Sequence, residues 1–223
     1  MKLTKSVISI LKNFSVINNS IYISELDVIK TLSDAGNIFG IYTMEDFEFP
    51  VKFAIWDLSE FLSIINLFDL ENTDFDFKDK YVIIQNGKNK IKYNYTDPNM
   101  INNMNKLKSS EKYKKFDLFE SELNIKDKDI KKIKKASSIM GLNKLKIDID
   151  EKCIIQLVDE DGANANTFDI EIDDFIGTGN INVNVENFEI IAGDYTIKIS
   201  DNKIIKLLNK DIDLFYFITA NIN

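Results

Sequence analysis

The sequence predicts an α+β protein of two similar domains, each with two helices packed on antiparallel sheets. Helical and alternating apolar patterns follow one another along the chain, and the order of the first half is repeated in the second. A chain of 223 residues with 44% hydrophobic content is long enough for two domains of about 110 residues. We therefore expect a first domain over residues 1–110, a second over 111–223, and a connector over about 96–115.

The first half supplies a helix, a strand, a second helix and a hairpin. Apolar residues recur at helical spacing in VISILKNFSVI (7–17), whereas FEFPVKFAI (47–55) alternates as a half-buried strand does. Asp57 is the predicted N-cap of the second helix, LSEFLSII. The strands YVII and KIKYNY follow, and Asn86-Gly87 predicts the turn between them.

The stretch TDPNMINNMNKLKSSEKYKK (96–115) contains a proline and four asparagines but no sustained period, which is typical of a connector. The second half then begins with a helix over 127–140. Strands LKIDI, CIIQLV and TFDIEI, a short helical segment VENFEII, and strands YTIKI, KIIKLL and LFYFITA follow. Residues 58–64 and 185–191 share an aliphatic-x-x-Phe-x-x-Ile frame, which suggests an internal duplication.

Composition excludes several kinds of chemistry. The chain has no histidine, and all 28 basic residues are lysine. Histidine-based catalytic triads, histidine-containing zinc sites and bidentate guanidinium clamps are therefore absent. Catalysis would have to rest on carboxylates and lysines alone, and we expect no metal and no cofactor.

The same composition predicts a cytoplasmic setting. No apolar run approaches the roughly 20 residues that cross a bilayer, and the amino end has no cleavage site of an export signal. The single cysteine, Cys153, lies in the apolar run CIIQLV, where a buried core thiol is expected.

A lysine-rich helix stands out in a chain of net charge -8. On a helical wheel Ile130 and Ile133 share the core side with Ser137 and Met140, and four lysines gather opposite them. The first helix repeats this arrangement more mildly. The predicted outward-facing lysines of the two helices are Lys5, Lys12, Lys128, Lys131, Lys132 and Lys135.

These lysines predict contact with phosphates. Acidic residues are concentrated elsewhere, so the surface would accept a polyanion at one place and repel it over most of the rest. A lysine attracts phosphate without reading base edges, which favours sequence-independent binding of nucleic acid. Asp127 and Asp129 are expected to stabilise the helix start and to leave the basic face intact. The alternative is a merely solvated helix face.

Three stretches resemble the DNA polymerase sliding clamp of T-even-type bacteriophages. MKLTKSVISILKNFSVINNSI is similar to the start of that clamp, AIWDLSEFLSIINLF to its second helix with the preceding strand, and AGDYTIKI to a strand near the end of its second domain. Their order and spacing agree with the family over essentially the whole chain, although the middle diverges.

The resemblance implies the DNA-clamp fold and a ring of three subunits joined head to tail, with helices lining a central hole around duplex DNA. It also implies a non-enzymatic processivity factor in the host bacterial cytoplasm. Its partners would be the replicative DNA polymerase, an ATP-driven clamp loader and late-transcription factors. The six lysines would then face DNA.

In this family the tails of client proteins bind an apolar pocket near the connector and the second domain. The matching apolar positions here are expected to bind client peptides, although each could instead be a core residue or a connector anchor. They are Met100, Ile101, Met104, Leu107, Tyr113, Phe116, Phe215 and Phe217.

Two rival interpretations follow from other motifs. Asp148 and Asp150, followed by Glu151 and Lys152, could suggest a Mg²⁺-dependent nuclease, but their alternation with isoleucine is typical of the solvent face of a strand. DEDGANAN has its glycine at the fourth position, so the EF-hand calcium spacing fails.

A monomeric lysine-helix module that binds nucleic acid on an open surface, or acts as a scaffold, stays open as an alternative function.

Overall fold

The computed structural model describes residues 1–101, 119–159, 166–201 and 203–220. Within these residues there are three α-helices, α1 (Lys5–Ile17), α2 (Leu58–Ile65) and α3 (Asp127–Met140). The strands that precede α3 are β1 (Ile21–Ile23), β2 (Val28–Leu32), β3 (Ile38–Thr43), β4 (Phe53–Ile55), β5 (Asp74–Phe77), β6 (Tyr81–Asn86), β7 (Asn89–Asn94) and β8 (Ser121–Ile125). Those that follow it are β9 (Lys144–Ile149), β10 (Cys153–Val158), β11 (Phe168–Ile172), β12 (Phe175–Ile176), β13 (Gly179–Asn184), β14 (Tyr195–Ser200), β15 (Ile204–Asn209) and β16 (Leu214–Thr219).

The described residues divide into two compact units, 1–36 with 40–101 and 37–39 with 119–220. In the first unit β1 pairs with β4, β2 with β3, and β5, β6 and β7 form a three-stranded sheet. In the second unit β11, β10, β9 and β13 form one antiparallel sheet. Strands β12, β8, β14, β15 and β16 lie side by side in another.

Helix α1 packs on the first unit through the predicted stripe, which is confirmed. Val7, Ile10, Leu11, Phe14 and Ile17 are all buried. The Thr4 hydroxyl accepts a hydrogen bond from the Val7 backbone N–H at 3.1 Å and caps the helix. Gly40 lies beneath this helix. Glycine suits this position because a Cβ would lie only 3.0 Å from the Phe14 ring.

Helix α2 is also confirmed, and the Asp57 carboxylate caps it by accepting from the Glu60 N–H at 2.7 Å. The hairpin after it is confirmed with a different turn: Asn86 pairs with Asn89, so the central residues are Gly87 and Lys88. Gly87 has φ 57°, and glycine at the first central position is typical of a type II′ turn.

The long strand predicted over residues 47–55 is wrong in extent. Only Phe53–Ile55 is a strand, because Pro50 has no N–H for a ladder. Phe49 is nevertheless buried, and its ring packs edge to face on Phe47, Phe53 and Phe77 at centroid distances of 5.1, 5.0 and 5.5 Å. The alternating apolar residues of this segment therefore form an aromatic cluster and not one continuous strand.

The second unit differs from the first in its helices. Helix α3 occupies the predicted range, but VENFEII forms only a single 3₁₀ turn, Val185–Asn187. The Phe188 N–H bonds to the Val185 carbonyl at 2.9 Å in the i→i+3 pattern, and the chain leaves helical geometry at Phe188, which has φ -89° and ψ 35°. The expectation of a second α-helix in this half is wrong, and a cleft of about 660 Å³ lies between the end of α3 and this turn.

The aspartates of the nuclease alternative lie in β9 and just after it, where ordinary strand structure accounts for them. Asp148 and Asp150 are exposed and alternate with buried Ile147 and Ile149. Gly162 falls outside the described residues. Among the described residues no group of three or more metal-ligating side chains is present, and no helix is long and apolar enough to cross a bilayer.

Cys153 is buried in β10, as predicted. Burial raises the pKa of its thiol to about 11, and the nearby charge of Asp148 adds to this effect.

Candidate nucleic-acid interface

Helix α3 is held at its start by a distant loop. Its N-cap residue, Lys126, makes no side-chain capping bond. Instead, Asp194 Oδ1 accepts from the Asp127 backbone N–H at 2.9 Å, and Asp194 Oδ2 accepts from Lys126 Nζ at 3.1 Å. Asp127 Oδ1 in turn accepts from the Gly193 N–H at 3.0 Å. The end of the helix is fixed by Gly141, which has φ 66°.

The two faces of α3 are chemically distinct, as the wheel predicts. Ile130 and Ile133 are buried within the second unit, to which α3 belongs. The lysines opposite them are exposed: Lys128, Lys131, Lys132 and Lys135. The surface they share is called the α3 lysine face below.

The first-turn aspartates do not leave that face intact, so this expectation is wrong. The Asp127 carboxylate contacts Lys131 Nζ one turn later, and Asp129 Oδ1 lies 3.1 Å from Lys132 Nζ. These are the i,i+4 and i,i+3 pairs of a helix surface. Within the described residues, Lys128 and Lys135 have no ion-pair partner.

Helix α1 shows the same division between its two lysines. Lys5 Nζ lies 2.8 Å from Glu71 Oε1, on the 3₁₀ turn Leu70–Asn72. Lys12 is exposed and has no ion pair with any residue that the structure describes. A shallow cleft of about 330 Å³ runs beside both lysines, between α1 and the residues after α2.

These contacts shift the pKa values of two aspartates and one lysine. The hydrogen bond from Lys131 lowers the pKa of Asp127, and the bond from the Gly193 N–H adds to the lowering. The hydrogen bond from the Asp127 backbone N–H has the largest lowering effect on the pKa of Asp194, and the side-chain hydrogen bond from Lys126 lowers it further. The hydrogen bond to Glu71 raises the pKa of Lys5. All three groups therefore stay charged at neutral pH.

The predicted client-binding residues are divided in position. Met100 is 58% exposed, Phe215 is half-buried, and Ile101 and Phe217 are buried. Met104, Leu107, Tyr113 and Phe116 lie outside the described residues. The role of all eight in client binding stays a prediction.

An aromatic cluster near the last strand was missed by sequence reasoning. Lys206 Nζ lies 5.8, 5.6 and 5.5 Å from the ring centroids of Phe119, Phe215 and Phe217. These distances are within the range of cation–π attraction. Only the spacing of Phe215 and Phe217 was visible in the sequence, because the other two side chains come from distant segments.

Two strand edges of opposite charge were also missed. β7 is the outer strand of its sheet and carries exposed Lys90 and Lys92; β11 is the outer strand of another sheet and carries exposed Asp169 and Glu171. Within the described part of the chain neither outer edge is paired. Lys92 lies over the Tyr81 ring at 4.2 Å, and Glu171 forms an ion pair of 3.0 Å with Lys152. The alternating charges in KNKIKYN and FDIEIDD were the available signal.

The chain is similar in sequence to known replication proteins. A family profile described as DNA polymerase processivity factor matches residues 2–102. The chain is 28% identical to the sliding clamp of Vibrio phage KVP40 over 232 residues, covering 96% of this chain and 97% of that protein. It is 26% identical to the sliding clamp of Escherichia phage RB69, covering 88% and 86%.

Solved structures agree on the fold. The A. fulgidus PCNA, solved with the C-terminal region of FEN-1 bound, superimposes with a TM-score of 0.71 at 13% identity. The match covers 98% of this chain and 96% of that one. The chain therefore has the DNA-clamp fold.

Proposed function

Because this chain belongs to the DNA polymerase sliding clamps of T-even-type bacteriophages, we propose that it closes with two further copies into a ring around duplex DNA. Its function is that of a processivity factor, which holds the polymerase on its template. The ring would keep the protein on DNA by topology, so strong affinity is not required. An acidic chain with local lysine faces is suited to this task, since its outer surface repels polyanions.

The α3 lysine face carries the proposal for DNA contact. Its four lysines share one exposed surface opposite the buried Ile130 and Ile133, and Lys5 and Lys12 occupy the exposed side of α1. Lysines offer phosphate attraction without base readout, so the contact would not depend on DNA sequence. Weak contacts of this kind let a ring shift along the duplex.

The outer edges of β7 and β11 support head-to-tail assembly. An edge strand presents unpaired N–H and C=O groups that another chain can pair with. One antiparallel register between β7 of one copy and β11 of the next matches both charge and hydrophobicity. Its cross-strand pairs would be Lys90–Glu171, Ile91–Ile170, Lys92–Asp169 and Tyr93–Phe168.

That register has a physical rationale on both faces of the joined sheets. The charged members of the pairs are exposed in the single chain, whereas Ile91, Tyr93, Phe168 and Ile170 are half-buried and would be covered further. Opposite charges across strands and apolar pairs each stabilise an antiparallel ladder. Because the two edges differ in sign, each copy would offer one edge to each neighbour.

Partners beyond DNA follow from the proposed ring. The DNA polymerase would bind by a hydrophobic tail near the connector, and Met100 is the exposed apolar side chain there that the structure describes. An ATP-driven loader would open the ring, and late-transcription factors would share its surface. The setting would be the cytoplasm of the bacterial host.

Two measurements test the ring. Light scattering after size exclusion should give about 77 kDa, three chains of 25.7 kDa. A linear duplex with biotin at both ends can thread through a ring; streptavidin added afterwards should then hold the protein on DNA in high salt. Without streptavidin the protein should be lost from the ends. Loss in both cases, with a mass of one chain, would instead identify a monomeric open-surface binder.

A further inference from the structure

We propose that carboxylates of this chain compete with DNA phosphates for half of the six candidate lysines, and so keep the contact with DNA weak enough for sliding. The pairs are Asp127 with Lys131, Asp129 with Lys132, and Glu71 with Lys5. The inference rests on the proposed function, because it takes the six lysines to face DNA.

The geometry separates a fixed acid from a mobile base in the α3 pairs. The Asp129 side chain is only 15% exposed, and Asp127 is held by its bond from the Gly193 N–H. The ammonium groups of Lys131 and Lys132 lie on side chains that are 66% and 61% exposed. Each lysine can therefore swing toward a phosphate while its aspartate stays in place.

Helix α1 also has a lysine paired with a carboxylate, although here both side chains are exposed, Lys5 at 80% and Glu71 at 70%. Glu71 comes from a turn 66 residues further along the chain, yet its Oε1 accepts a hydrogen bond from Lys5 Nζ at 2.8 Å. In both units, then, a lysine with a carboxylate partner lies on the same helix as one without. The lysines without an ion pair among the described residues are Lys12, Lys128 and Lys135.

Competition changes the thermodynamics of each paired lysine. When a lysine neutralises a phosphate, a counterion leaves the DNA, which gives the salt dependence of binding. A lysine that must first leave a carboxylate exposes that anion again, and the anion attracts a cation from solution. A paired lysine therefore adds less affinity and less salt dependence than an unpaired one.

Two double-mutant cycles test the competition. The first combines Glu71→Gln with Lys5→Met, and the second combines Asp129→Asn with Lys132→Met. Binding is measured by anisotropy of a labelled linear duplex, which enters a ring through its ends, over a series of salt concentrations. Each carboxylate variant alone should bind about two- to five-fold more tightly, and its salt slope should steepen by up to about 0.9.

The lysine partner decides the outcome. In the Lys→Met background the same carboxylate substitution should change affinity little, because no ammonium is left to release. An equal gain in both backgrounds would show a general effect of charge and would overturn the proposal. Asp150→Asn is the matched charge control, since the exposed Asp150 has no ion-pair partner among the described residues.

Failure of the competition is distinguishable from failure of the DNA face. Lys12→Met, Lys128→Met and Lys135→Met should each weaken binding. If they do and the carboxylate variants are silent, only the competition is refuted. If the lysine variants are also silent, the proposed DNA face itself is refuted.

Discussion

Asp127 and Asp194 fix each other at the start of α3. Asp194 accepts from the Asp127 backbone N–H at 2.9 Å, while the Asp127 carboxylate accepts from the N–H of Gly193, the residue before Asp194, at 3.0 Å. The loop before β14 thereby supplies the cap that Lys126 lacks. The orientation of the α3 lysine face depends on a contact that spans 67 residues of sequence.

Asp194→Ala should loosen the start of α3, because the Asp127 N–H loses its acceptor and Lys126 its ion pair. We expect the melting temperature to fall by a few degrees while the folded circular dichroism spectrum is retained. Asp150→Ala removes an exposed carboxylate with no ion-pair partner in the described residues and should leave the melting temperature unchanged. An unchanged Asp194→Ala protein would refute the cap.

The same contacts predict a dependence on acid pH. The folded-state pKa values of Asp127 and Asp194 are lowered from 3.8, so their stabilisation is present above that value and is lost as the pH falls through the lower folded values. The difference in melting temperature between wild type and Asp194→Ala should therefore be full at neutral pH and should shrink below about pH 4. Thermal melts between pH 2.5 and 7 check this; a constant difference would contradict it.

Ile133 and Ile139 of α3 form a matched pair for testing which face is buried. Ile133 is 1% exposed and Ile139 is 72% exposed. Ile133→Ala should lower the free energy of unfolding by about 2–5 kcal/mol through lost burial and a cavity. Ile139→Ala should change it by less than about 0.5 kcal/mol. Urea unfolding measures both, and similar values would mean that the helix is rotated.

A charge exchange tests the proposed ring contact. Lys90→Glu with Lys92→Glu should weaken assembly, because like charges would oppose Asp169 and Glu171 of the next copy. Asp169→Lys with Glu171→Lys should do the same. Combining all four substitutions in one chain should restore the mass of three chains. If either double variant still assembles fully, the β7–β11 pairing is wrong.

The helices could be predicted well because their apolar spacing is local information. The apolar stripe of α1 and the residue ranges of α2 and α3 are confirmed. VENFEII shares the same frame as α2 but forms a 3₁₀ turn, so a shared pattern of apolar residues does not by itself decide between the two kinds of helix. Pro50 likewise ended a strand whose side-chain alternation was clear.

The candidate site was only partly visible in the sequence. The exposed positions of the α3 lysines followed from the wheel, and the Asp–Lys spacings of three and four residues could have revealed their ion pairs. The Glu71–Lys5 pair and the Asp194 cap could not be seen, because they join segments 66 and 67 residues apart. Sequence periodicity carries no information on such tertiary contacts.

The burial of Cys153 makes this chain convenient for site-specific labelling. It is the sole thiol of the protein, it lies inside β10, and its high pKa keeps it protonated and unreactive at neutral pH. A cysteine introduced on the surface would then be the one group that maleimide dyes modify. Fluorophores or crosslinkers could be attached to β7, β11 or α3 without first removing a native sulfhydryl.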